Sequence, residues 1–377
     1  MRCSRGISAC CFEYNVLVKF YAYAGKGRVM AKSIVGIDLG SSYVKLVVRE
    51  GGSPRVVARR LPMDIVESGA VVAPETMAQF LRDMRAEEHI RAKDCAVVLA
   101  PEQCYFRQVT LPAMTVAELK LNLPYEFRDY IDDDPSSYVY DYAVDELVRD
   151  DAGTPQRLEL YAAAVQQATV DRLAAMLKKS GFKLRGVFPP QMVLARLLGD
   201  YEAAHPDDAG HDAVVVDLGG DTVNVSLYHG TAFQAMRTIE FGCREFDRAV
   251  ADLRNIDRYT AASYVSGNFE GVLDTPECMA VCDRICVEVN KVVNFYNFSN
   301  RDKDIDRMYL MGGGARIPQL VRALSEAVGV QVMSAVVLAG GSLAPDPDGA
   351  TIQRGTRAGL RDEGLLAYGC MREGEEM

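Results

Sequence analysis

The sequence predicts an α/β fold in which one structural design occurs twice. Two segments, residues 34–48 and 214–227, share an apolar run, an Asp-Leu-Gly sequence, a small polar turn and then an alternating pattern. An apolar run that turns back into an alternating segment predicts a β-hairpin in each case. A third apolar run, residues 308–311, enters three consecutive glycines and then a helix-forming segment. Two such hairpins followed by a strand, glycines and a helix indicate two related α/β domains.

The residue types in the repeated turns suit phosphate binding. The first turn contains Gly40, Ser41 and Ser42 after Asp38, and Lys45 follows on the next strand. Glycine lets backbone N–H groups approach a phosphate, and serine or threonine hydroxyls add donors. An aspartate just before the turn can hold a hydrated Mg²⁺ that also binds substrate phosphates. The second hairpin repeats this chemistry with Asp217, Gly219, Gly220 and Thr222.

The glycine run Gly312, Gly313 and Gly314 is the third candidate element. Pro318 stands in the first turn of the helix that follows, a position that proline favours. The free N–H groups and positive dipole end of such a helix attract anions. One Asp-x-Gly turn alone would be better explained as an ordinary hairpin. The three elements in this order are similar to the arrangement in actin and the sugar kinases, so we expect an actin-like ATPase fold with duplicated ribonuclease H-like domains.

Composition and charge narrow the functional classes. The chain has 377 residues, of which 49% are hydrophobic and 25% are charged, enough for two domains with full cores. Its net charge of -10 argues against nucleic acid or an anionic membrane surface as a major partner. There is no Walker loop and no run of apolar residues long enough to span a membrane, so neither a P-loop nor direct membrane insertion is indicated.

Ten cysteines without regular pairs or zinc-ligand spacing fit reduced thiols in a cytosolic protein. Cys278, Cys282 and Cys286 recur every four residues and would lie along one helical face. A metal or redox site is one interpretation. We favour small apolar thiols that fill a helix core, because no histidine lies nearby in the sequence.

Periodicity and capping signals place the remaining elements. Residues 74–88 are predicted to be helical because Met77, Phe80, Leu81 and Met84 recur at helical spacing. Further predicted helices cover residues 169–180, 243–253, 276–298, a segment ending at residue 328, and 363–372; further predicted strands cover residues 55–60, 95–99, 233–240 and 330–333.

An inserted small α+β subdomain is predicted at about residues 103–165. A strand over residues 106–114 contains Pro112 near its end, and Thr115 with Glu118 then forms a capping box that starts a helix. Two strands, residues 138–144 and 158–165, follow an acidic turn. The subdomain would interrupt the first domain, residues 33–213. The other predicted parts are a poorly ordered extension (1–32), a second domain (214–345), a loop (346–362), the helix at 363–372 returning to the first domain, and a tail (373–377).

Several segments resemble the family of the type IV pilus assembly protein PilM. Members of this family are actin-like ATPases related to the division protein FtsA. The resemblance covers about residues 33–372. Its most specific parts are residues 109–114 with the helix after them, the strand with Asp141 and Tyr142, and residues 161–165, 179–183 and 367–372.

The resemblance implies ATP and Mg²⁺ as ligands. The first turn would be formed by Asp38, Gly40, Ser41, Ser42 and Lys45, and the second by Asp217, Gly219, Gly220 and Thr222. Gly312, Gly313 and Gly314 would back the adenosine, and Asp38 and Asp217 would hold Mg²⁺ through water. A solvated strand lysine is the alternative interpretation of Lys45.

The resemblance also implies a partner and a location. Members of this family bind the N-terminal cytoplasmic tail of a PilN-type inner-membrane protein, in a groove beside the inserted subdomain. They lie in the cytoplasm, peripheral to the inner face of the cytoplasmic membrane through their partners. Contacts with other inner-membrane components of the pilus, and homo-oligomer formation, stay open.

One segment departs from the family pattern. Members of the family usually carry a Glu and a Lys on a helix that touches the nucleoside, whereas residues 261–265 here read Ala-Ala-Ser-Tyr-Val. We therefore expect weaker base and ribose contacts. Neither hairpin contains an obvious catalytic base, so we expect at most slow ATP hydrolysis, with nucleotide acting as a conformational ligand.

Three functions compete at this point. The first is a nucleotide-binding scaffold of a type IV pilus, competence or secretion complex at the inner membrane. The second is an actin-superfamily small-molecule kinase, which would need a catalytic aspartate and a polar substrate pocket. The third is an FtsA-like, filament-forming membrane anchor, which would need a basic amphipathic C-terminal helix. The acidic end of this chain does not supply such a helix.

Overall fold

The computed structural model describes residues 17–18, 33–49, 54–62, 65–300, 305–343, 364–375 and 377. The chain forms two compact units, of which the first comprises Met1–Leu39, Tyr43–Val193 and Leu366–Met377. The second comprises Gly40–Ser42 and Leu194–Leu365. This division falls inside a helix, whereas the sequence placed the boundary between residues 213 and 214. The predicted loop at 346–362, and the predicted extension apart from residues 17 and 18, lie outside the described residues.

The first unit is built on a six-stranded sheet with the order β1-β11-β7-β2-β3-β4. Strands β2, β3 and β4 form an antiparallel meander, and β7 and β11 continue the sheet in parallel with β2. A two-stranded hairpin, β5-β6, lies outside it. The described strands of the first unit are β1 (Leu17–Val18), β2 (Ile34–Leu39), β3 (Tyr43–Val48), β4 (Arg55–Arg60), β5 (Val66–Glu67), β6 (Ala70–Val71), β7 (Asp94–Val98), β8 (Tyr105–Pro112), β9 (Tyr138–Arg149), β10 (Pro155–Gln166) and β11 (Lys183–Phe188).

Helices α1 (Pro74–Glu87), α2 (Val116–Asn122) and α3 (Gln167–Lys179) belong to the first unit. Helix α1 buries Met77, Leu81 and Met84 in the same hydrophobic cluster as Val35 and Ile37 of β2. These residues recur at the helical period on α1 and at the strand period on β2, so each element presents one apolar side to the shared core.

The inserted subdomain is a three-stranded antiparallel sheet, ordered β8-β10-β9, with α2 packed on one face. Thr115 accepts the backbone N–H of Glu118, while the Glu118 carboxylate accepts from Thr115, so the predicted capping box is present. Leu119, Leu123 and Phe127 enter the core of this sheet. The insertion thus has its own hydrophobic core.

The second unit repeats the topology of the first. Strands β12, β13 and β14 form an antiparallel meander, and β15 and β16 extend the sheet in parallel with β12, giving the order β14-β13-β12-β15-β16. The predicted duplication is therefore confirmed at the level of strand order and direction. The elements are α4 (Pro190–Ala204), β12 (Asp212–Leu218), β13 (Val223–His229), β14 (Ala232–Ile239), α5 (Arg244–Arg254), α6 (Arg258–Gly267), α7 (Pro276–Ser299), β15 (Arg307–Met311), α8 (Pro318–Val328) and β16 (Gln331–Ser334).

The cysteine face of α7 lies in the core of this unit. Cys278, Cys282 and Cys286 are buried together with Val281 and Ile285, as we expected for thiols that fill a helix core. Burial raises the pKa of the Cys282 thiol to about 12 and that of Cys286 to about 11. A thiol with so high a pKa is not ionised at neutral pH and is therefore a poor nucleophile.

The last helix, α9 (Leu365–Glu375), packs on β2 of the first unit. A Cβ atom at Gly36 would lie 1.9 Å from the carbonyl oxygen of Ala367 and 2.7 Å from the backbone nitrogen of Met371. A Cβ atom at Gly374 would lie 2.7 Å from a methyl group of Ile34. Glycine at both positions lets the helix lie directly on the strand.

Six of the described strands and helices were not predicted, namely the two-residue strands β1, β5 and β6, strand β11 and helices α4 and α6. Strand β11 is interrupted by Arg185 and Gly186 in an otherwise apolar segment, and α4 is apolar on too many sides to show a clear period. Helix α6 carries small and hydroxylated residues in place of an apolar stripe.

None of the described helices is long and apolar enough to cross a membrane.

Candidate functional site

The first predicted turn joins β2 to β3 and carries an ion pair across the hairpin. Asp38 and Lys45 are directly opposed in the antiparallel register. The Lys45 Nζ atom lies 3.0 Å from the Asp38 Oδ2 atom, and both side chains are about seven-eighths buried, with 14% and 15% exposed. The lysine is therefore not the solvated strand residue that the alternative interpretation required.

The second predicted turn is fixed by the start of α5. The backbone N–H groups of Cys243 and Arg244 donate to the carbonyl oxygens of Gly219 and Gly220, both at 2.9 Å. A Cβ atom at Gly242 would lie 2.6 Å from each of these oxygens. These hydrogen bonds from the start of α5 fix the orientation of the peptide groups in the turn.

Gly220 is also where the first turn meets the second. The Gly40–Ser42 turn groups with the second unit. A Cβ atom at Gly220 would lie 2.4 Å from the Ser42 hydroxyl oxygen and 2.9 Å from that of Ser41. Two hydroxyl groups therefore lie against the Gly220 peptide, and a Cβ atom there would have to displace them. This is the type of cradle that binds phosphate oxygens.

Arg244 connects the same two turns. Its Nη1 atom lies 2.5 Å from the Asp221 Oδ1 atom. Its other terminal nitrogen, Nη2, donates to the carbonyl oxygen of Ser41. The planar guanidinium can hold both acceptors at once, which a lysine could not do with the same geometry.

The glycine-rich element contacts the second hairpin at close range. Gly312 has a φ of +84°, and a Cβ atom there would lie 2.4 Å from the Asp217 Oδ1 atom. A Cβ atom at Gly314 would lie 2.4 Å from the Cys243 sulfur. Gly312 therefore requires glycine for conformation and for space, whereas Gly314 requires it for space.

The helix after these glycines begins later than the glycine run suggests. Gly313–Arg316 forms a 3₁₀ turn, and α8 starts at Pro318, which is its first helical residue. Proline is thus confirmed in the first turn. The free N–H groups at the helix start belong to residues beyond Gly314.

The Cys243 thiol lies among these elements but is unreactive at neutral pH. Burial, and after it the charge of Asp217, raises the pKa of Cys243 to about 12. Its sulfur fills the space that Gly314 leaves open. We assign it a packing role.

Helix α6 carries the segment that departs from the family pattern. Ala261 and Ala262 are buried, and the Ser263 hydroxyl donates to the carbonyl oxygen of Tyr259 at 3.2 Å. These residues offer no charged side chain to a nucleoside, in line with the expectation from the sequence.

Sequence reasoning missed two residues of this site. Gly242 lies between β14 and α5, Arg244 is the first residue of α5, and the structure places both at the second turn. A glycine between a strand and a helix was the available signal, because such positions often mark a close backbone approach.

The residues present fit a nucleotide with Mg²⁺. Within the second unit, the site offers the glycine peptides, the Ser41 and Ser42 hydroxyls and the carboxylate of Asp217. Within the part of the chain that the structure describes, no cluster of three or more His, Cys, Asp or Glu side chains forms a metal site. Mg²⁺ commonly binds through one or two carboxylates, waters and substrate phosphates, so it needs no such cluster.

Comparisons with known proteins agree with the topology. A solved structure described as the PilM-PilN type IV pilus biogenesis complex contains a chain that is 22% identical, with a TM-score of 0.75. That similarity covers 93% of this chain and 100% of the other. The ethanolamine utilization protein EutJ from Carboxydothermus hydrogenoformans is 15% identical, with a TM-score of 0.54, over 90% of this chain and 89% of the other.

The fold is the actin-like ATPase fold, as the duplicated topology indicates. A family model described as type IV pilus assembly protein PilM matches residues 36–357. The match includes both hairpins, the inserted subdomain and the glycine-rich element. The chain therefore belongs to the type IV pilus assembly protein PilM family.

Proposed function

We propose that this chain is an ATP-binding scaffold of a type IV pilus assembly complex. The observation that carries the nucleotide part is the close approach of the Ser41 and Ser42 hydroxyls to Gly220. A side chain at residue 220 would occupy the space of these donors. Glycine peptides and serine hydroxyls supply hydrogen-bond donors that suit phosphate oxygens.

The proposed roles follow from the chemistry of each group. The peptides of Gly40, Gly219 and Gly220, with the hydroxyls of Ser41, Ser42 and Thr222, contact phosphate oxygens. Asp38 and Asp217 hold Mg²⁺ through water, and Lys45 keeps the Asp38 carboxylate in position. Gly312, Gly313 and Gly314 form the surface behind the adenosine. Arg244 holds the Ser41 turn in place through the carbonyl oxygen of that residue.

We further propose that the inserted subdomain binds the N-terminal cytoplasmic tail of a PilN-type inner-membrane protein. The similarity to a chain of the PilM-PilN complex supports this partner. Leu121, Tyr125 and Tyr130 of the subdomain are 73%, 67% and 52% exposed. Large exposed apolar and aromatic side chains commonly anchor a peptide. On this proposal, the partner holds the chain at the inner face of the cytoplasmic membrane.

Calorimetry with two ligands tests the proposal. We expect wild-type protein to bind Mg·ATP and, separately, a synthetic N-terminal peptide of a PilN-type protein. Replacing Asp38 and Asp217 together with alanine should abolish nucleotide binding and leave peptide binding intact. Nucleotide binding without peptide binding would contradict the scaffold role, and peptide binding without nucleotide binding would contradict the ATP site.

Matched variants test the peptide surface. Leu121→Ser with Tyr125→Ser should weaken the peptide at least about tenfold, because both anchors are lost. Phe295→Ser with Phe298→Ser is the control, since these side chains are 73% and 79% exposed on α7 of the second unit. Equal loss of affinity in both pairs would place the peptide elsewhere.

A further inference from the structure

A basic cleft lies at the C-terminal end of α1, within the first unit. Its volume is about 460 Å³, and it is lined by Arg82, Arg85, Ala86, His89, Ile90 and Arg91. Three of these side chains are guanidinium groups and a fourth is an imidazole. The three guanidinium groups form a local concentration of positive charge in a chain whose net charge is -10.

The carboxylates beside the cleft are paired with other residues. Glu88 binds Arg55 at 2.7 Å, and Glu87 binds Arg59 at 2.6 Å. Within the described part of the chain, no ion pair joins Arg82 or Arg85 to a carboxylate. Their charge is therefore not neutralised by neighbouring side chains.

The end of α1 is closed in a way that reduces its negative potential. The backbone N–H groups of Glu88, His89 and Ile90 donate to the carbonyl oxygens of Met84, Ala86 and Arg85, at 3.0, 3.2 and 3.0 Å. Free carbonyl oxygens at a helix C-terminus would repel an anion. Here, three of the last carbonyl oxygens already accept hydrogen bonds.

Arg85 is held in place by packing. Its Cζ atom lies 5.4 Å from the centre of the Phe182 ring, and a Cβ atom at Gly181 would lie 2.8 Å from its Nη1 atom. Its Nε atom is buried and makes no hydrogen bond within the described part of the chain. A buried donor without an acceptor is costly, and the Arg85 side chain lines the cleft.

His89 stands at a position that favours glycine. Its φ is +53°, in the left-handed region, directly after the helix. Glycine is the usual residue where a helix ends in this conformation, because a Cβ atom costs free energy there. The His89 side chain lines the cleft at this position.

We propose that this cleft binds a phosphate group. Guanidinium groups donate to phosphate in a fixed, bidentate geometry, and a phosphate carries enough negative charge and acceptor oxygens for several of them. The ligand is either a soluble phosphorylated compound or the headgroup of an anionic phospholipid. This site is separate in sequence from the residues proposed for ATP.

Calorimetry of the full chain with inorganic pyrophosphate tests the proposal. Arg82→Gln with Arg85→Gln should weaken the affinity at least about tenfold. Arg128→Gln with Arg258→Gln removes the same charge from exposed positions and should leave the affinity within about twofold. Gly220→Val, which blocks the proposed nucleotide cradle, should retain pyrophosphate binding. Loss of binding in Gly220→Val with full binding in the cleft variant would overturn the proposal.

Two further variants separate binding from folding. Arg82→Gln alone changes an exposed side chain and should weaken pyrophosphate binding several-fold without lowering the melting temperature. His89→Gly should raise the melting temperature, since it relieves the left-handed conformation, and should still weaken pyrophosphate binding. Unchanged pyrophosphate affinity in His89→Gly would show that His89 does not contact the phosphate. Unchanged affinity in both His89→Gly and Arg82→Gln would overturn the proposal.

Vesicle sedimentation identifies the source of the phosphate. Binding to phosphatidylglycerol vesicles that is absent with phosphatidylcholine, and lost in the double arginine variant, would indicate a lipid headgroup. Pyrophosphate binding without vesicle binding would indicate a soluble ligand. If wild-type protein binds neither probe, the proposal is wrong.

Discussion

At the scale of single residues, Gly220 gives the sharpest test of the proposed nucleotide cradle. In Gly220→Val, the new side chain would displace the Ser41 and Ser42 hydroxyls, which lie 2.9 and 2.4 Å from a Cβ atom. Serine side chains can rotate, so we expect little loss of stability. The affinity for Mg·ATP should fall at least about tenfold, because the donors no longer point at one site. Calorimetry measures the change.

Gly267→Ala is the control for this prediction. Gly267 ends α6, and no atom lies within 4 Å of the position of its Cβ atom. Stability should change by no more than about 0.5 kcal/mol, and nucleotide affinity should stay at the wild-type value. An equal loss of affinity in both glycine variants would mean that Gly220 acts through general stability and not through the cradle.

At the scale of secondary-structure elements, Gly36 decides whether α9 can lie on β2. A Cβ atom at this position would lie 1.9 Å from the backbone of Ala367, and neither element can move without disturbing the core. Gly36→Ala should therefore cost about 2 kcal/mol of unfolding free energy, as overpacking commonly does. Urea denaturation measures this loss.

Thiol labelling shows where the Gly36→Ala damage lies. Cys370 is buried on α9, and burial raises the pKa of its thiol well above the ordinary value. We expect alkylation of Cys370 to become faster in Gly36→Ala while Cys282 of the second unit stays protected. Unchanged protection of Cys370 would show that α9 remains docked and that the strain is relieved elsewhere.

The capping box of α2 predicts a pH dependence of the inserted subdomain. The backbone N–H and hydroxyl of Thr115 both donate to Glu118 at 2.7 Å, and they lower the pKa of this carboxyl below 4.5. A carboxyl with a lowered pKa stabilises the folded state above its unfolded pKa, and this contribution is lost as the pH falls through the folded pKa. Hydrogen exchange at the start of α2 should accelerate at pH 3 relative to pH 6, after correction for intrinsic rates.

Glu118→Gln isolates this effect. Its exchange at the start of α2 should be faster than wild type at pH 6 and should lose most of the additional acceleration at pH 3. An acid response as large as that of wild type would assign the effect to other carboxylates in the subdomain.

Elements with a strong local signal were predictable from sequence. Helices α1 and α2 each combine apolar residues at helical spacing with a recognisable start, which is Pro74 in α1 and the capping box in α2. Strand β11 and helix α6 lack that combination, and their formation depends on tertiary contacts. Arg185 within β11, for example, pairs with Asp94 at 2.8 Å, which no local pattern in the sequence reveals.

At the scale of the whole molecule, the duplication was predictable because each hairpin repeats the same order of residue types. The five strands of the second sheet follow the same order as β4, β3, β2, β7 and β11 of the first, which confirms the duplication. The close contacts were not predictable, since they depend on tertiary packing. Gly242 and Arg244 reach the second turn only because β14 returns the chain to that edge of the sheet.

The last prediction concerns the coupling of the two proposed ligands. If the PilN-type peptide and Mg·ATP favour the same state of the protein, each must change the affinity of the other by the same factor. We expect a factor of about five to 150, the usual range for coupled sites. Four dissociation constants test it: each ligand is titrated into free protein and into protein saturated with the other. Gly220→Val should retain peptide affinity but lose the effect of added Mg·ATP on it. Two affinities that do not change on addition of the other ligand would show independent sites, and the nucleotide would then serve stability rather than control of the partner.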